Sequence, residues 1–302
     1  MTWLWIPITI AAALLQNIRT ALQKHLKGRL STNAATYTRY VFGFPLAILY
    51  LVALNRGFGL PLPAFNWDFA AWMAAGAITQ IVATSLLLYA FTYKNFAVGV
   101  AYSKTEVIQA AVFGLAFLGE TVTGFGLVAI VLGTIGVMLM SLDRTQPLAR
   151  AFLLGWTERP ALIGIASGGV FAISAVAFRA ASLALNHSDF LSAAAYTVVF
   201  ATVLQTALLT AYLYAREREQ VALVFRHWRV ASLPSVAGVL GTICWLTAMT
   251  LQSVPYVRTL GLIELVFTFA ISVLAFREKP ARNEIAGVAL LVAGIVLVLN
   301  IR

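Results

Sequence analysis

The chain has 302 residues, of which 61% are hydrophobic and only 11% are charged. Ordinary soluble domains contain roughly 45–50% apolar and about 25% charged residues, so this composition excludes a soluble globular protein. The formal net charge is +10, but the basic residues are scattered over short polar connections, which does not indicate a nucleic-acid surface.

The apolar residues form long runs, each close to the ~20 residues that a helix needs to cross the hydrocarbon core of a bilayer. The runs are apolar on all sides instead of alternating, which favours helices over a β-barrel. We therefore predict an all-α polytopic membrane protein with ten transmembrane helices. In chain order, the predicted spans are 3–23, 33–54, 68–91, 97–118, 122–142, 160–185, 190–214, 230–252, 256–276 and 283–301.

The second predicted span contains both a charge and a helix breaker. Arg39 keeps its proton under ordinary conditions, so it needs an anion, such as a transported carboxylate or Glu106. The structural alternative is that its long side chain reaches the nearby membrane surface. Gly43 and Pro45 predict a bend because proline removes a backbone hydrogen bond, and this bend is interpreted either as a hinge or as a static kink.

Two carboxylates lie inside apolar spans, Glu106 in the fourth and Glu264 in the ninth. An ionised carboxylate near mid-depth costs at least ~2.5–3.5 kcal/mol, so it should face a partner, water or a cavity, or be protonated. The functional interpretation is proton coupling or contact with a substrate ammonium, and the alternative is a structural hydrogen bond between helices. Lys104 and Arg258 are predicted to snorkel to the interface, and Lys104 could also pair with Glu106 through a local bend.

Three further residues complete the predicted substrate-binding or coupling set of Glu106, Glu264 and Arg39. Gln109 shares a helix face with Glu106, and Gln80 lies in the third span. Trp245 lies inside the eighth span, away from the interfacial layer that membrane tryptophans prefer. For each of the three, helix-to-helix hydrogen bonding or core packing is the alternative. The histidines show no ligand spacing, so neither a metal ion nor a cofactor is predicted.

The two halves of the chain repeat one another. Glu106 precedes Glu120 by the same interval that separates Glu264 from Glu278. The shift that superimposes these pairs also aligns Thr92 with Thr250, Gly136 with Gly294, and Leu139 with Leu297. The predicted repeats are 1–142 and 160–302, with a linker at 143–159. Each contains five spans, so the second must enter the membrane from the opposite side, which is the inverted-repeat plan of secondary transporters.

The segments from Glu106 to Glu120 and from Glu264 to Glu278 resemble the EamA-type branch of the drug/metabolite transporter superfamily. In that family, a glutamate and a proline open this helix and a glycine followed by a glutamate closes it. This chain departs from the pattern at three positions, with Val107 and Leu265 in place of proline and Arg277 in place of glycine.

The resemblance implies a secondary transporter, not an enzyme, that moves a small organic metabolite across the cell (inner) membrane by alternating access. Amino acids or related amphipathic solutes are the implied substrates, and export is the implied direction. The expected partners are membrane lipid and the small-molecule substrate, with protons as the candidate coupling ion and no nucleic acid. The alternatives are a membrane-embedded enzyme, which lacks a supporting histidine-cluster or nucleophile-elbow motif here, and a non-transporting membrane subunit.

Basic residues are concentrated in the connections that follow odd-numbered spans, whereas the opposite side holds only Arg56 and Arg302. Because cytoplasmic loops carry the excess of lysine and arginine, the first set is predicted to be cytoplasmic and both termini to lie outside.

A reporter that is active only in the cytoplasm should therefore be inactive when fused to either terminus. The same reporter inserted in the connection after the first span should be active and provides the positive control. Activity at the termini together with inactivity in that connection would reverse the assigned orientation.

Overall fold

A computed structural model describes residues 3–26, 30–90, 102–140, 159–274, 277 and 280–300. Every regular element in these residues is a helix, which confirms the all-α prediction for this part of the chain. The α-helices are α1 Trp5–Leu26, α2 Thr32–Val41, α3 Phe44–Val52, α4 Trp67–Ala90, α5 Glu106–Leu118, α6 Gly124–Met140, α7 Arg159–Ala184, α8 Phe190–Arg216, α9 Arg218–Arg226, α10 Trp228–Ala231, α11 Leu233–Leu251, α12 Val254–Gly261, α13 Ile263–Leu274 and α14 Arg282–Leu299.

Six of the described segments are long and apolar enough to cross a bilayer, and α5 and α6 are shorter apolar helices. The six are Thr32–Gly57, Trp67–Ala90, Ala161–Ala184, Phe190–Arg216, Trp228–Leu251 and Arg282–Leu299. A multi-pass membrane protein follows from these helices, while the total of ten spans stays a prediction. The short helix α9 lies between the predicted spans 190–214 and 230–252, in a stretch that the sequence predicts as a connection.

The second predicted span is interrupted between α2 and α3, at Phe42 and Gly43. A Cβ atom on Gly43 would lie 2.5 Å from the carbonyl oxygen of Arg39, so only glycine fits this turn without a shift. Pro45 lies in the first turn of α3, where a missing N–H leaves no helical hydrogen bond unmade. The interruption therefore has a local cause, and its use as a hinge stays a prediction.

The helices that carry Glu106 and Glu264 are interrupted just before these residues. A turn at Lys104 and Thr105 precedes α5, and Leu262 separates α12 from α13. The backbone N–H of Val107 donates to Lys104 O at 3.3 Å, and that of Leu265 donates to Leu262 O at 2.9 Å. These tight i to i−3 turns form without a proline, and they occupy equivalent positions in the two halves of the sequence.

The helix that starts at each glutamate also ends similarly. Gly119 closes α5 with a φ of 65°, a left-handed conformation that commonly ends helices. Arg277 is at the equivalent position and has a φ of 54°, although a side chain disfavours this region. The left-handed backbone turn is therefore present in both halves of the sequence, although the second half has an arginine in place of the glycine. The glutamate after it, Glu278, lies outside the described residues.

The chain divides into two compact units, each built from parts of both sequence halves. Unit 1 comprises residues 1–81 and 174–252, and unit 2 comprises residues 82–173 and 253–302. This is a division by packing. It leaves the repeats at 1–142 and 160–302, and the linker at 143–159, as predictions.

In unit 2, α6 and α14 approach so closely that their backbones touch at glycines. A Cβ atom on Gly136 would lie 2.6 Å from Gly287 O, and one on Gly294 would lie 2.7 Å from Ala129 O. Small residues allow this approach, which favours helix association in a bilayer because hydrocarbon provides no hydrophobic drive between helices.

Replacing Gly136 with alanine should destabilise the protein by about 1–3 kcal/mol, the usual cost of inserting a methyl group into a filled contact. Thermal unfolding of the purified protein in detergent would measure the loss. Gly124→Ala is the matched control on the same helix, since a Cβ atom there meets nothing within 4 Å. Equal unfolding temperatures for the two variants would contradict the contact.

Candidate functional site

Two ion pairs in unit 2 bring together the carboxylates that the sequence singled out. Lys104 Nζ pairs with Glu264 Oε1, and Arg258 Nε lies 2.9 Å from Glu106 Oε1. Each glutamate is therefore paired with a cation from the other half of the sequence. We call these four residues the quartet, and its formal charge is balanced.

The helix interruptions position the quartet. Glu106 is the first residue of α5 and Glu264 the second of α13, so both carboxylates lie at helix N-termini, where negative charge is stabilised by the unpaired N–H groups. Lys104 occupies the turn before α5, and Arg258 lies in the last turn of α12. Each broken helix thus contributes one carboxylate after its break and one cation, with Lys104 lying in its break and Arg258 before its break.

The quartet is largely enclosed by protein, since Glu106 is 8% exposed and Glu264 is 5% exposed. The Nε–H of Arg258 does not point at Glu106 Oε1, so this contact is an ion pair without an aligned hydrogen bond at these atoms. In a low-dielectric setting, removing one partner leaves an uncompensated charge and costs more than the pair itself contributes.

Two expectations about the cations were therefore wrong. Lys104 and Arg258 do not extend to the interface, and Lys104 pairs with Glu264 instead of its neighbour Glu106. Depth along a single helix suggested snorkelling, whereas the partner comes from a distant part of the chain. These spans contain two carboxylates and two cations, and this equal number is the sequence feature that could have indicated the pairing.

Gln109 lies next to the quartet and is held by protein groups. Its Nε2 donates to Thr105 Oγ1 at 2.9 Å and to Ile165 O at 3.3 Å. The neighbouring helix α7 reaches this region through Gly168, where a Cβ atom would lie 2.6 Å from Ser103 O. Helix α7 therefore packs directly on the break before α5.

The other predicted site residues, Gln80, Arg39 and Trp245, lie in unit 1. Gln80 Oε1 accepts from Gln205 Nε2 at 2.7 Å, and Trp245 Nε1 donates to Gln16 Oε1 at 3.1 Å. Both interactions join helices, as the structural alternative expected, and neither Gln16 nor its bond to Trp245 was predicted.

Arg39 is 7% exposed, so its guanidinium is kept inside the protein and does not reach the surface. Its Nη2 donates to Thr242 Oγ1 at 3.0 Å, and its guanidinium carbon lies 5.3 Å from the centre of the Tyr40 ring. Glu106, the protein anion considered for it, is instead paired with Arg258. Within the described residues, no group of three or more His, Cys, Asp or Glu side chains could hold a metal ion.

The helices and the quartet define a polytopic α-helical membrane protein whose broken helices carry buried charges in both halves of the sequence. A sequence profile described as the EamA-like transporter family matches residues 3–142 and 160–300, so the match covers two repeats. The chain belongs to the EamA-like transporter family, and the resemblance seen in the sequence is confirmed.

No curated protein sequence matches the chain. Among solved structures, the chain is similar to one described only as "Crystal structure of protein", with 16% sequence identity and a TM-score of 0.68. The match covers 97% of this chain and 95% of the other. At this identity, the likeness supports the fold alone.

Replacing Lys104 with methionine should destabilise the protein by roughly 3–5 kcal/mol, because Glu264 would keep a buried charge without its partner. The double variant Lys104→Met/Glu264→Gln should recover most of the loss, since both charges are removed. Denaturant unfolding in detergent would measure the cycle, with exposed Arg282→Gln as the control. Additive losses in the double variant would contradict the pairing.

Proposed function

We propose that this protein is a secondary transporter that exports a small organic metabolite, an amino acid or a related amphipathic solute, across the inner membrane by alternating access. Membership of a transporter family supports the class. The observation that carries the mechanism is the charge-balanced quartet at two broken helices in unit 2.

Broken helices suit transport because, in secondary transporters, their free helix ends and unwound backbone groups contact the substrate and the coupling ion. Alternating access requires contacts that form in one state and open in another. Crossed ion pairs between α5, α12 and α13 meet this requirement, since small movements of these segments separate cation from carboxylate.

Because the quartet has no net charge, only certain agents can separate its ion pairs. Separating a pair inside hydrocarbon leaves two uncompensated charges, each costing several kcal/mol. A solute that carries both an ammonium and a carboxylate can replace one pair without changing the net charge. Alternatively, a proton delivered to a glutamate neutralises that carboxylate and leaves its cation charged, and on this basis we propose protons as the coupling ion.

Glu106→Gln and Glu264→Gln should each lower substrate flux into proteoliposomes by about tenfold or more, because each change leaves a buried cation without its carboxylate. A screen of amino acids, organic acids, nucleosides and cationic drugs would identify the solute, and an imposed pH gradient should drive its accumulation. Exposed Glu219→Gln is the control, with flux expected to match that of the wild type.

Unchanged flux of every transported solute in both glutamate variants would remove the quartet from the mechanism. Absence of flux for the entire screen in the wild-type protein would favour a non-transporting membrane subunit instead.

A further inference from the structure

Arg39 differs from the cations of the quartet in having no carboxylate opposite it among the described residues. Lys104 and Arg258 each have a glutamate. The described partners of Arg39 are a hydroxyl and an aromatic ring, although the residue is 7% exposed. A guanidinium cannot lose its proton in a protein, so its charge must be met by an anion from elsewhere.

The carboxylates of unit 1 do not fill this role, since Asp68 and Glu219 are exposed and the other two are engaged elsewhere. Glu217 accepts hydrogen bonds from Ser31, which precedes α2, and from Asn33, in the first turn of α2. Asp189 caps α8 by accepting a hydrogen bond from the backbone N–H of Ser192. Arg179, a second arginine within the spans of this unit, donates to the backbone oxygens of Met249 and Gln252. Its charge thus meets the C-terminal end of α11, where cations are stabilised.

The surroundings of Arg39 are arranged as a subsite. Gly238, Thr242 and Trp245 follow one another on one face of α11 by their spacing of four and three residues. A Cβ atom on Gly238 would lie 3.2 Å from Arg39 Cγ and 3.3 Å from Arg19 Cδ, so two arginine stems converge where α11 has no side chain.

The hydrogen-bonding groups indicate how the anion is held. Thr242 Oγ1 accepts from Arg39 Nη2 and donates to Gly238 O at 2.8 Å, which fixes one corner of the guanidinium. A guanidinium has five N–H donors in a planar fork, and the fork matches the two oxygens of a carboxylate. The described protein groups use only one of these five donors.

We infer that Arg39, fixed by Thr242, is the subsite that binds the carboxylate of the transported solute, and that the solute class is therefore organic carboxylates, with or without an ammonium group. The inference rests on the proposed transport function for the identity of the ligand. Its test uses binding, so that the two ideas can fail separately.

The test measures ligand-induced thermal stabilisation and calorimetric binding of the purified full-length protein in detergent. The probes are four acids, acetate, 4-methylpentanoate, phenylacetate and L-leucine, each compared with its own amide at constant ionic strength. At least one acid should bind the wild type roughly tenfold or more tightly than its amide, because the amide lacks the charge that the fork recognises. Equal binding of every acid and amide, or no binding of any acid, would overturn the subsite.

Arg39→Gln should weaken binding of that acid by a similar factor, and Arg39→Lys should bind with intermediate affinity because it keeps the charge and loses the fork. Exposed Arg159→Gln is the matched control and should bind as the wild type does.

Flux measurements separate the two proposals. Carboxylate flux that is unchanged by Arg39→Gln would overturn the subsite and leave the transporter standing. Carboxylate binding without flux of any solute would overturn the proposed transport function and leave the carboxylate subsite standing.

Discussion

A charge inside hydrocarbon must be met by an opposite charge or by strong hydrogen-bonding groups, and the arrangement of unit 2 follows from this constraint. Glu106 and Glu264 are expensive residues at their depth, and each is paired with a cation from the other half of the sequence. Both helices are broken beside the carboxylates. The breaks provide helix N-termini for the anions and a turn for Lys104.

Unit 1 meets the same constraint only in part. Arg179 is satisfied by the carbonyl oxygens at the end of α11, whereas Arg39 contacts a threonine hydroxyl and an aromatic face. Carbonyl oxygens at a helix end carry partial negative charge, whereas a hydroxyl carries no net charge and is already engaged with Gly238 O. Unit 2 therefore balances its buried charges internally, and unit 1 retains a positive charge suited to a ligand.

Composition and apolar run length were sufficient to predict the helical class, and Gly43 with Pro45 located one helix interruption correctly. The ion pairs were not predictable in the same way, because Lys104 and Glu264 are separated by 160 positions and depth along one helix says nothing about the neighbouring helix. The breaks at Lys104 and Leu262 were also missed, since no proline marks them. At the first break, Gly168 packs closely against Ser103, a contact between distant parts of the chain that no local sequence pattern predicts.

The duplication preserves the carboxylates but not their partners, which makes the two ion pairs chemically different. The position equivalent to Lys104 in the second half is Leu262, and the position equivalent to Arg258 in the first half is Val100.

An ammonium on a flexible stem can transfer its proton when buried, whereas a guanidinium cannot. Both members of the Lys104 and Glu264 pair become neutral if the lysine's own proton passes to the glutamate, a transfer that adds no proton to the quartet. The Arg258 and Glu106 pair can be opened only by a replacement anion or by protonation of the glutamate with a charge left behind. The asymmetry of the cations, rather than the symmetry of the glutamates, assigns any proton transfer within a pair to Lys104 and Glu264.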